Sequence, residues 1–88
     1  MSRIIATAPL RIAYLDVPNP PSAGAAMHED WLVEAHREGA TVVVSVTADD
    51  PQRALDELVR SDDLMDYMFL DFVRSLTGLE LATLFDAA

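Results

Sequence analysis

The chain has 88 residues, no cysteine and a formal net charge of −9, from fifteen carboxylates against six arginines. That length bounds it to one small domain over residues 1–88, and the missing cysteines exclude disulfides and thiolate-bound metals as staples. A field this negative repels nucleic acid and anionic lipid and attracts basic surfaces.

The charge is unevenly placed. Residues 49–88 hold ten of the carboxylates and only Arg53, Arg60 and Arg74 as cations. The hydrophobic fraction is 51%, which is much to hide in a body with so little interior, so an exposed apolar patch is expected. No stretch nears the ~20 apolar residues of a membrane span. Residues 1–9 lack the long apolar core of a signal peptide. A cytoplasmic location without membrane contact is the expectation.

In chain order, Arg11–Val17 reads as a strand rich in Ile, Tyr and Val. Pro9 separates it from Arg3–Ala8, which reads as an edge strand or lead-in. Pro18-Asn19-Pro20-Pro21 then ends any ladder, since proline lacks an N–H donor. Ser22 is a cap for a helix over 23–38, in which Met27, Trp31 and Ala35 recur at spacing four and Gly39 supplies the stop. The rival reading makes Trp31–Ala35 a strand, hairpinned through Glu38-Gly39 to the next one. Ala40–Val46 is β-branched almost throughout and reads as a central strand buried on both faces.

Asp50-Pro51 opens a helix over 50–60, with a capping carboxylate followed by proline at the first helical position. Ala54, Leu55, Leu58 and Val59 form its inner face, and Asp56–Arg60 an i, i+4 pair. Ser61-Asp62-Asp63 restarts the helix over 62–76. There Leu64, Met68, Phe72 and Leu76 form one row, and Met65, Phe69 and Val73 the next. Thr77-Gly78-Leu79-Glu80 matches the T-x-x-E capping box and starts a last helix over 79–86. The expected core is Val42, Val44, Val46, Leu55, Leu58, Met68, Phe69, Phe72 and Leu76.

The fold class is therefore α+β: a two- or three-stranded sheet packed against about four helices, with the C-terminal half all helical. The strand–helix–strand–helix order resembles pieces of ferredoxin-like domains, and order alone carries no function.

Motifs for catalysis are missing. His28 and His36 stand eight apart, too far for one metal on a single helix. Asp62, Asp63 and Asp66 lack the D-x-[DN]-x-[DN]-G loop of a calcium site. No G-x-S-x-G, G-x-G-x-x-G or Walker sequence occurs. The cations form no run, so direct nucleic-acid binding is not expected. No catalytic residue, metal or cofactor is assigned.

The outer face of 62–76 mixes charge with apolar anchors: Asp62, Asp63, Asp66, Tyr67, Leu70 and Asp71. An apolar centre within a charged rim is how interfaces are built. The expected function is a non-enzymatic acidic module that docks on the basic surface of a protein partner. Its sharpest form is an inhibitor whose carboxylates occupy a nucleic-acid-binding site, as in phage anti-defence proteins. Two other classes stand beside it. One is a small homodimeric ferredoxin-like enzyme or ligand-binding domain, with Tyr14, His28, Trp31 or His36 at its mouth. The other is a structural adaptor subunit, acidic for solubility.

Overall fold

The computed structural model describes residues 1–11 and 23–86. Four strands come first: β1 Ser2–Pro9, β2 Ala23–Met27, β3 Trp31–Glu38 and β4 Thr41–Ala48. Three helices follow: α1 Pro51–Arg60, α2 Leu64–Thr77 and α3 Leu81–Asp86. The strands form one antiparallel sheet in the order β1-β4-β3-β2. The chain is α+β with a helical C-terminal part, as expected, but the sheet has four strands and the described helices number three.

The difference lies in 23–38. The expected helix there is instead the β2–β3 hairpin, so the rival strand reading of Trp31–Ala35 is the one the chain adopts. Spacing four is even, so Trp31 and Ala35 share a face in a strand as well as in a helix. Val33 decides between the two: Trp31, Val33 and Ala35 are buried while Glu34 and His36 are exposed, a period of two. Glu29 and Asp30 form the hairpin tip, closed by the His28 N–H donating to the Trp31 carbonyl at 2.9 Å. Gly39 does not stop a helix. It stands with Ala40 in the two-residue turn between β3 and β4, at φ 61°, where primed hairpin turns need a left-handed residue. The direct β3–β4 hairpin also differs from the ferredoxin-like order, which places a helix between its third and fourth strands.

β1 is an outermost strand, which suits the proline at its end. The expected strand over 11–17 falls outside the described residues from Ile12 onward. β4 lies inside the sheet, as its β-branched run implies. It is buried on one face only: Val42, Val44 and Val46 are sealed, while Val43, Ser45 and Thr47 are partly open. All described helices lie on the first face, as antiparallel sheets permit.

The core joins Ala6, Ala8, Trp31, Val33, Ala35 and the three β4 valines to Leu55, Leu58, Phe69, Val73, Leu76, Leu81 and Leu84. Seven of the nine expected core residues are there. Phe72 is only half-buried, and Met68 is 57% exposed. Val59, expected inward, is 42% exposed.

Helix starts follow the sequence closely. The Asp50 carboxylate accepts from the Arg53 N–H at 3.2 Å, with Pro51 behind it. Asp63 caps α2 by accepting from the Met65 N–H at 2.8 Å. Arg53–Glu57 is the i, i+4 ion pair actually formed on α1. Thr77 does not cap α3. It is the last residue of α2, its hydroxyl donating back to the Val73 carbonyl at 2.8 Å. Gly78 follows at φ 74° as the left-handed stop. Glu80, instead of closing a capping box, lies 3.4 Å from Arg74 Nε and ties α3 to the end of α2.

Candidate functional site

On a helical wheel of α2 the buried residues Asp66, Phe69, Val73 and Leu76 make a single stripe at spacings of three and four. The opposite side is not polar. Leu64, Tyr67, Met68 and Asp71 stand at i, i+3, i+4 and i+7, one continuous outward row. Leu64 is 70% exposed, Tyr67 56% and Met68 57%, with Met65 beside them at 71%. The first two turns of α2 are thus apolar on both sides, and only the inner side is covered. The exposed carboxylates of Asp62 and Asp63 lie at one end of this row and that of Asp71 at the other. From Asp63 to Asp71 is about 12 Å along the axis.

Of the six residues assigned from the sequence, Asp62, Asp63, Tyr67 and Asp71 are exposed and Leu70 is half-buried. Asp66 is not on the outer face. It is 2% exposed and turned into the protein, so it is no part of the exposed acid row. Its two carboxylate oxygens both accept from His28 Nε2, each at 2.9 Å. Burying a carboxylate is costly unless it is hydrogen-bonded, and His28 supplies the hydrogen bonds. The His28 ring stacks on Trp31 with centroids 4.1 Å apart and planes at 24°. The Trp31 indole N–H in turn donates to Glu57 at 3.1 Å. One run of contacts therefore crosses from α2 through the β2–β3 hairpin to α1, and it holds the N-terminal half of α2 against the body.

The histidine–tryptophan–glutamate part of this network was not assigned from the sequence. A signal for Asp66 was present: it stands three before Phe69 and seven before Val73, on the apolar stripe. A carboxylate there needs a partner, and histidine is a fit candidate. Leu64, Met65 and Met68 were assigned to apolar rows without a way to tell inward from outward. Met68 is among the residues expected in the core.

Two other places bring titratable side chains together. Among the described residues His36 pairs with Glu38 alone, both on the surface, at 3.1 Å. Among the described residues no hydroxyl is hydrogen-bonded to either histidine, so no nucleophile–base pair is formed there. A cleft of about 380 Å³ opens where Trp31, Asp30, Asp49, Asp50, Arg53 and Glu57 meet. Among the described residues no group of three or more histidines and carboxylates is placed to hold a metal ion. No described helix is long and apolar enough to cross a membrane.

Compared with protein-family models, with curated proteins and with solved structures, the chain has no significant match.

Proposed function

We propose that this protein is a non-enzymatic binding module that docks the outer face of α2 on a basic protein surface. The observation that carries the reading is the uncovered row of Leu64, Met65, Tyr67 and Met68 between exposed carboxylates. An apolar row on the side of a helix turned away from the core marks a contact surface. Methionine adapts to varied partners, tyrosine is a frequent interface anchor, and the flanking acids select cationic rims and speed encounter. In the sharper form of the proposal the module is an inhibitor that covers a basic surface its partner uses.

The test compares the parent with a variant carrying Asp62→Arg, Asp63→Arg and Asp71→Arg. Each is immobilised and exposed to host lysate at low and high salt, and retained proteins are purified for direct titration. The expected result is a basic protein held by the parent at low salt, released as screening shortens the range of charge, and not held by the folded variant. A partner bound equally by both proteins at both salts contradicts the reading.

A further inference from the structure

We infer that the segment seated on α2 is a cationic amphipathic helix, a conclusion that rests on the docking reading above and narrows it. Three observations point there. First, α2 can offer only side chains. Its backbone groups are bonded within the helix, so it cannot recruit an extended peptide by strand addition. Second, the exposed row has the i, i+3, i+4, i+7 geometry with which one helix packs its ridges into another's grooves. Leu64 and Met68 form the i, i+4 ridge, Tyr67 flanks it, and Met65 widens its N-terminal end. Third, the charge is arranged for a helix lying along the row. Acids stand at both ends, Asp62 and Asp63 at one and Asp71 at the other, and the middle is apolar because Asp66 is turned inward to His28.

That third point separates an amphipathic helix from a phosphate-binding groove. Carboxylates that stand in for phosphates on such a groove would be closely repeated. Here the anions are interrupted by about 12 Å of helix whose outward side chains are leucine, tyrosine and methionine. A helix with apolar anchors at its centre and Arg or Lys toward its ends satisfies both parts at once.

The experiment uses the full chain and a synthetic probe. A peptide of about 18 residues, long enough for five helical turns, carries leucines at i, i+3, i+4 and i+7 and lysines elsewhere. A second peptide has the same composition with the leucines scattered around the wheel. Binding is followed by titration calorimetry, and the contact is mapped by backbone amide shifts. The amphipathic peptide is expected to bind at least about tenfold more tightly than the scattered one. Leu64→Ser with Met68→Ser should cost roughly tenfold or more, as loss of central anchors does. The shifts should centre on 62–71. Equal binding of both peptides overturns the inference and leaves the basic-surface reading standing, because charge alone then suffices. Shift changes centred on the Trp31–Glu57 cleft or on the sheet also overturn it. Both serines replace side chains more than half exposed, so folding should survive. Tyr67→Ala supplies a second truncation if it does not.

Discussion

Among the described residues Asp66 is the one charged group that is buried. It is a buried carboxylate whose hydrogen bonds go to one imidazole, itself braced by Trp31 and Glu57. Removing the partner and removing the charge should therefore have unequal effects. His28→Ala leaves the buried carboxylate unsatisfied and should cost about 1–3 kcal/mol, toward the lower end because the His28 side chain is 39% exposed and water can reach part of the gap. Asp66→Leu removes the charge together with its need and places an apolar group on the stripe of Phe69 and Val73. It should be near neutral, because the His28 side chain left behind is 39% exposed and water can take the place of the carboxylate. Urea denaturation of the two variants checks this. Equal losses would show that the pair is held by packing around it and not by the carboxylate's own requirement. The sequence placed Asp66 outside because aspartate usually is outside. Only the position of His28, on a hairpin 38 residues earlier, explains why it can be inside.

Among the elements, β2 and α2 approach closely at Gly24. Gly24 lies in an ordinary strand conformation, and a Cβ built on it would stand 3.0 Å from two ring atoms of Phe72. The ring rests where a side chain would otherwise be. Gly24→Ala should push the ring away and cost about 1–3 kcal/mol. Phe72→Leu in the same chain should recover part of that loss, and the coupling is read from a double-mutant cycle. Additive effects would mean the ring and the strand do not meet. The elements that were legible in the sequence carry two signals each. α1 and α2 have caps and an apolar period, and β4 has β-branching and a turn glycine beside it. The hairpin over 23–38 was misread because Ala-Gly-Ala-Ala-Met has no strand composition and because Trp31 and Ala35 fit both periods. Its strand state depends on pairing with β4, a tertiary effect that propensity does not contain. The outward turn of Leu64, Met65 and Met68 was hidden for a related reason. Both sides of α2 are apolar at its start, and periodicity alone does not say which side the sheet covers.

At the scale of the whole molecule the two surfaces differ in kind. The helical layer holds most of the acid and the uncovered apolar row of α2. The other face of the sheet carries Arg3, Ile5, Leu32, Glu34, Val43 and Met27, a mixed surface of small patches. Self-association through the sheet would cover that second face, and docking through α2 would leave it open. The methionines report on both. Met65 and Met68 stand in the proposed contact, and Met27, at 75% exposure, stands on the open side of the sheet. Exposed methionines are readily converted to sulfoxides, so peptide mass spectrometry after brief peroxide treatment gives a rate for each. The decisive measurement is this set of rates in the free protein and with the basic partner retained at low salt. Met65 and Met68 should oxidise quickly when free and become protected on binding, while Met27 keeps its rate. Protection of Met27 with Met65 and Met68 unchanged would place the interface on the sheet and contradict the docking face described for α2.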